Sequence, residues 1–351
     1  MFLKKFLSLD LGNNNTKIVS GKIKKNKIYI NNLAVIENSK DLISDGKINS
    51  YESLFQLLDE SLGMYDFKEI EAIITSNSTL IINREIIVPK AEGKELESII
   101  QFEIQQYLPI NMEEYILQHK IIENIKEENI EKLRIFVVVY PKILIEDYVK
   151  LLDSLDLEPK ALDINPNSIN KLFKDDIKIN EEDYKKDNTI GIIDMGSEQL
   201  TISIFSKGQL EFSRIIDRGG KNIDKAISTN FHIKLKDAEK RKKNHCDLMI
   251  ENKVEYMEEL NYIIKKEITI WIEEILRIIN YYKSKKTGNV LDKLYLYGGS
   301  SRLKGIDKYI SKDLNIAVEK INSMSNIVFS KDVYDNDIDY CLNAIGALIR
   351  L

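Results

Sequence analysis

Apolar residues at the start of the chain come in short β-branched and aromatic runs broken by polar turns, which predicts strands at 6–9, 16–23 and 27–37. The period then changes. Leu54, Leu57, Leu58 and Leu62 share one helical face, with Ser50 available as a cap. Strands follow at 69–75 and 79–89, then a helix over 94–108 stopped by Pro109, a strand at 132–140, a helix over 143–155 and a strand at 158–164. Residues 175–188 are charged and nearly free of apolar pattern, as in a surface linker between halves. Beyond them, IGIIDMGSEQLTISIF (190–205) and EFSRIID read as strands and 223–286 as a helical block. Within that block Ile264, Ile268, Trp271, Ile275, Ile278, Ile279 and Tyr282 form an apolar stripe that predicts packing, not cofactor binding. The chain closes with the strand LDKLYLYG, a helix, the strand IAVEK and a helix containing CLNAIGALIRL.

Composition narrows the class. With 351 residues and 43% hydrophobic content, the chain has room for two packed lobes. Its 51 basic and 56 acidic residues leave a net charge of −5, so no bulk attraction draws it to nucleic acid or an anionic membrane. Cys246 and Cys341 are too few for a disulfide framework, which suits a reducing compartment such as the cytoplasm. Asp10 interrupts the leading apolar run before a signal sequence can form, and no run is long enough to span a bilayer. The three histidines have no zinc-like spacing with Cys246. The basic run Lys234, Lys236, Lys240, Arg241, Lys242 and Lys243 reads as a solvated helix face.

One design occurs twice. FLSLDLGNNNTKIVSG and IGIIDMGSEQLTISIF each place Asp-x-Gly after an apolar strand and before a second one. Asp10 and Gly12 precede Asp194 and Gly196 by 184 positions each (194 − 10, 196 − 12). Either copy alone would usually be a turn. Two hairpins facing across a cleft would bring two carboxylates together, a set magnesium takes along with substrate phosphates. Gly12 and Gly196 would let turn N–H groups approach phosphate oxygens, with Asn13, Asn14, Asn15 and Thr16 as added donors. Lys17 would add a point charge or lie on the solvent face. Gly298, Gly299, Ser300 and Arg302 follow a strand and suit a flat ligand and its ribose, or form only a turn. Gly219, Gly220 and Lys221 open a helix that would receive an anion, or likewise serve only the turn.

In order and spacing, these pieces resemble the actin, Hsp70 and sugar-kinase superfamily. Within it the chain is similar, over nearly its full length, to the PilM-like proteins of type IV pilus assembly. IIVPKAEGKELESIIQFEIQQYLPINMEEYIL (86–117) and LLDSLDLEPKALDI (151–164) carry that likeness. The resemblance implies an α/β, actin-like fold: two RNase H-like lobes, 1–185 and 186–351, with an inserted α+β subdomain near 82–158 and a helical subdomain near 221–288. It implies ATP and magnesium between the lobes, with Asp10 and Asp194 on the metal, directly or through water. It implies phosphate contacts from Gly12 to Lys17, Gly196 and Ser197. Gly219, Gly220 and Lys221 would lie beside the nucleotide, and Gly298, Gly299, Ser300 and Arg302 beside the adenosine. The implied role is a cytoplasmic scaffold that recruits the N-terminal segment of a PilN-like inner-membrane protein. AIGALIRL is too short and weakly basic for a membrane anchor, so attachment would come through that partner.

Two departures stand out: Asn13 and Asn14 replace small hydroxyls, and Asp224 sits where threonine is frequent. For hydrolysis, Asp163 is the candidate to orient water, or it only caps the following helix, so slow turnover at most is expected. A small-molecule kinase using the same cleft and a filament-forming actin relative are the alternatives.

Overall fold

The computed structural model describes residues 4–350 apart from 109–110, 128–129, 251–253, 286–287, 332 and 334–336, so Pro109 lies outside the described residues. Both Asp-x-Gly runs fold as hairpins, and each seeds a sheet. In the first lobe β1 (Lys5–Leu11), β2 (Asn15–Lys24) and β3 (Lys27–Glu37) form an antiparallel meander, with Asp10 opposite Lys17. A small hairpin, β4 (Ile43–Ser44) and β5 (Lys47–Ile48), leads to α1 (Tyr51–Met64), which buries Leu54 and Leu58. The chain then returns as β6 (Glu71–Ser76), parallel to β1.

An insertion follows: β7 (Ile82–Pro89), α2 (Gly93–Tyr107), β8 (Tyr115–Glu127) and β9 (Ile130–Pro141), a three-stranded sheet in the order β7-β9-β8. Leu96, Ile100 and Ile104 of α2 pack with Ile86, Val88 and the inward side chains of β9 in a core of their own. After α3 (Lys142–Ser154), β10 (Glu158–Ile164) pairs with β6, and α4 (Asn165–Asn170) follows directly from its end.

In the second lobe β13 (Ile190–Met195), β14 (Leu200–Ser206) and β15 (Gln209–Ile216) repeat the meander. They are preceded by β11 (Ile177–Ile179) and β12 (Glu182–Tyr184), a hairpin where the sequence reads as a linker. Three helices follow, α5 (Gly220–Phe231), α6 (Leu235–His245) and α7 (Glu255–Lys285), the first ended by left-handed His232. β16 (Lys293–Tyr297) lies parallel to β13, and α8 (Ile306–Leu314) leads to β17 (Val318–Lys320). The sheet order β15-β14-β13-β16-β17 matches β3-β2-β1-β6-β10 of the first lobe, so the sequence repeat is a structural one.

The division at 185 is crossed by the end of the chain. β18 (Ile327–Phe329) pairs with the outer edge of β3, and α9 (Ile338–Ala347) packs on the first sheet and α4. Ala344, Ile345 and Ala347 of AIGALIRL are therefore core residues. One apolar cluster joins the lobes through Ile169, Phe173, Tyr184, Leu342 and Ile345. No helix among the described residues is long and apolar enough to cross a membrane.

Candidate functional site

Asp10 and Asp194 occupy the same place in their hairpins, each at the end of a strand paired in parallel with a neighbour: Asp10 beside Thr75, Asp194 beside Tyr297. A Cβ on Gly12 would lie 2.8 Å from the Asn15 carbonyl oxygen, and one on Gly196 would lie 2.7 Å from that of Gln199. Both turns thus need glycine for the same close backbone approach.

Between the two carboxylates stands Lys17. Its ammonium is 3.1 Å from Asp10 Oδ2, and the charges of both Asp10 and Asp194 overcome the effect of burial and raise its pKa. It is an inward charge, not a solvent-face lysine. Burial pushes the Asp194 carboxyl up to about 6; Lys17 and the amide of Asn343 oppose that shift and Asp10 adds to it. Asn343 Nδ2 donates to Asp194 Oδ2 at 2.9 Å, and Tyr297 donates to Asn343 Oδ1 at 2.8 Å. Asp10 Oδ2 is sealed from solvent without a well-formed hydrogen bond. Two buried carboxylates that share the charge of one lysine fit a divalent cation that completes its shell with phosphate and water. Among the described residues no cluster of three or more acidic, histidine or cysteine ligands could hold a metal alone.

The turn residues divide. Thr16 points inward, donating to Asn38 Oδ1 at 2.8 Å, and Asn38 in turn donates to the Gly12 carbonyl at 2.7 Å. Asn14 and Asn15 bond each other at the surface, which leaves Asn13 as the amide directed across the cleft. It donates to Glu198 Oε2 at 2.7 Å, and Lys221 Nζ donates to Glu198 Oε1 at 2.7 Å. The N-terminal amides of α5 are already used: Gly220 N–H bonds the Gly196 carbonyl and Lys221 N–H that of Ser197. Gly219 has no room for a side chain, since a Cβ would lie 2.5 Å from the Ser197 carbonyl oxygen.

At the other end, Gly298 has φ +87 and packs under Asp194 Oδ1, so only glycine fits there. Ser300 Oγ donates to the Gly196 carbonyl at 3.0 Å, joining this loop to the second hairpin. Tyr340 at the start of α9 covers Gly299 and stacks beneath the Arg302 guanidinium, 4.2 Å from its centroid. Arg302 also bonds Asp337 and Asp339, and the Gly298 N–H donates to the Asp339 carbonyl at 2.8 Å. Tyr340, Asp339 and Asn343 carry no local motif that marks them as site residues; they arrive on a helix remote in sequence.

Two further carboxylates have partners of their own. Asp224 pairs with Lys242 at 2.7 Å; Lys242 is buried, unlike the solvated face its basic run suggests, and also bonds the Gly220 carbonyl. Asp163 is buried against Lys171 at 2.6 Å and accepts from Asn167 and from the Ile164 N–H. It is held as one member of an interior ion pair at the start of α4.

Two lobes of one sheet order, each led by an Asp-x-Gly hairpin and meeting over a loop of two glycines, define the actin-like fold. Solved structures agree. MreB5 of Spiroplasma citri bound to ADP is 14% identical with TM-score 0.56, covering 98% of this chain and 94% of its own. The ethanolamine utilization protein EutJ from Carboxydothermus hydrogenoformans is 13% identical with TM-score 0.56, covering 99% and 90%. Within that class, the family model for type IV pilus assembly protein PilM matches residues 8–346, and the chain belongs to that family. A chain of a PilM-PilN type IV pilus biogenesis complex superposes with TM-score 0.81 at 19% identity over 97% of both chains. Among curated relatives, the cell division protein FtsA of Bacillus subtilis (strain 168) is 22% identical over 262 residues, 68% of this chain and 57% of its own. FtsA of Enterococcus faecalis (strain ATCC 700802 / V583) is 29% identical over 183 residues, 48% of this chain and 39% of its own, so the chain spans about half the length of these relatives.

Proposed function

We propose that this PilM-family chain binds a nucleoside triphosphate with magnesium between its lobes and acts as an assembly scaffold for the N-terminal segment of a PilN-like membrane protein. One observation carries the nucleotide half: Asp10 and Asp194, at equivalent hairpin positions, both act on the buried ammonium of Lys17, 3.1 Å from Asp10 Oδ2. Magnesium would be held by these two carboxylates, and when bound it would neutralise phosphate charge. Lys17 would turn to the phosphates, while Gly298 and Gly299 would border the adenosine. The partner half is supported by the superposition on a chain of a PilM-PilN complex and by the inserted subdomain, which exposes Phe102 and Tyr107 of α2 beside its own packed core. Attachment at the membrane would then come through that partner. Asp163 is committed to Lys171 and not free to orient water, so slow turnover or none is the reading proposed.

Thermal unfolding tests the nucleotide half. Saturation at about 100 times Kd stabilises a native state by about 2.7 kcal/mol, and wild type should gain this with MgATP while Asp194→Ala should not. An unshifted wild type in millimolar MgATP would sink the reading.

A further inference from the structure

We infer that Glu198 is a built-in occupant of the phosphate site: its carboxylate stands in for a phosphate, latches the two hairpins together without ligand, and must be displaced when nucleotide enters. The inference deepens the nucleotide reading above and rests on it. Within the repeat, Glu198 corresponds to Asn14 (198 − 14 = 184), so the second hairpin carries an anion where the first carries a neutral amide. The side chain is not loose. Oε2 accepts from Asn13 of the first lobe and Oε1 from Lys221 at the head of α5, each at 2.7 Å.

Asn13 and Lys221 are two of the donors expected to meet phosphate, and one carboxylate occupies both. The α5 amides are bonded to the Gly196 and Ser197 carbonyls, so Lys221 meets the anion through its side chain, not its backbone. A second bridge lies alongside, Asn77 Nδ2 donating to Thr201 Oγ1 at 2.7 Å, but it is neutral and needs no displacement by an anion. Entry of a triphosphate therefore sets like charges together unless Glu198 swings away, and its departure releases Asn13 and Lys221 to the ligand. The latch thus lowers nucleotide affinity and ties the first hairpin to the second.

Glu198→Gln keeps the shape and removes the charge; Glu198→Ala removes the bridge. With fluorescent ATP analogue and magnesium as the probe, both should bind at least about tenfold more tightly than wild type, a change of about 1.4 kcal/mol. Without nucleotide, spin labels placed one per lobe should report a wider distance distribution in Glu198→Ala than in wild type, with circular dichroism melts checking that the variant folds. Equal or weaker binding by both variants, with wild type still binding, overturns the latch and leaves the nucleotide reading intact. Binding by none of the three proteins overturns both. An unchanged distance distribution in folded Glu198→Ala removes the tethering role.

Discussion

Asp163 shows how a residue of catalytic type can be committed to structure. Burial alone would raise its carboxyl, but the Lys171 ammonium, the Asn167 amide and the Ile164 N–H outweigh burial and hold it below the ordinary carboxylate range. A depressed folded pKa stabilises the native state above the unfolded value of about 3.9, and that stability is lost as pH falls through the folded value. Asp163→Asn leaves Lys171 buried without its counter-ion, and breaking such a pair costs about 3–5 kcal/mol. The urea midpoint at pH 7 should fall accordingly, and the gap from wild type should narrow as the buffer is taken below about pH 4, where the unfolded chain takes up the proton first, and close only once the pH passes the depressed native value. If Asp163 instead orients water, the variant would keep its midpoint and lose only magnesium-dependent hydrolysis.

Among the elements, α9 has the most demanding fit, because it returns from the second half of the sequence to close the first lobe. A Cβ at Gly346 would lie 2.1 Å from the Ser168 carbonyl oxygen, which belongs to backbone and cannot turn aside. Gly346→Ala should therefore lift α9 from α4 and destabilise the protein by about 1–3 kcal/mol. The same change at Gly63 in α1, where nothing lies within 4 Å, should stabilise it by about 0.5–1 kcal/mol. Opposite shifts in melting temperature are the expected pair, and two upward shifts would mean that helix propensity, not contact, governs both. Such fits are invisible in the sequence, whereas periodic or repeated elements are legible there. The α7 stripe and both Asp-x-Gly hairpins stand where patterning places them. Strand β8 escapes because it pairs on one side only and leaves Ile116 and Ile121 exposed, so its alternation is blurred. The β11–β12 hairpin escapes because its charged residues hide the two buried anchors, Ile179 and Tyr184. At the site, the first Asp-x-Gly predicts Asp10 and its repetition predicts Asp194. Asn343 and Tyr340 reach these carboxylates and the glycine loop only through the path of the folded chain.

On the scale of the whole molecule, the inserted subdomain belongs to the first lobe in sequence but touches the second lobe in space. Lys285 of α7 bonds Glu85 of β7 at 3.2 Å, and Arg134 of β9 lies 3.9 Å from Glu211 of β15, which also accepts from Tyr282 at 2.9 Å. β15 is hydrogen-bonded to β14, whose leading turn carries Glu198 and Gln199, so a change of lobe angle at the cleft must move this junction. A ligand that changes the lobe angle and a peptide held by the subdomain would act on one junction, and their coupling would be reciprocal. A PilN-like N-terminal peptide should bind about tenfold more tightly with MgATP than without it, within the usual coupling range of about 1–3 kcal/mol. Glu211→Gln removes the attraction to Arg134 while retaining an acceptor for Tyr282. It should reduce that ratio toward one while leaving the peptide affinity without nucleotide unchanged, as read by fluorescence anisotropy. A ratio of one in wild type would show that the two sites are independent, and an undiminished ratio in Glu211→Gln would mean that the change of lobe angle reaches the subdomain through its covalent links to β6 and α3, not across this contact.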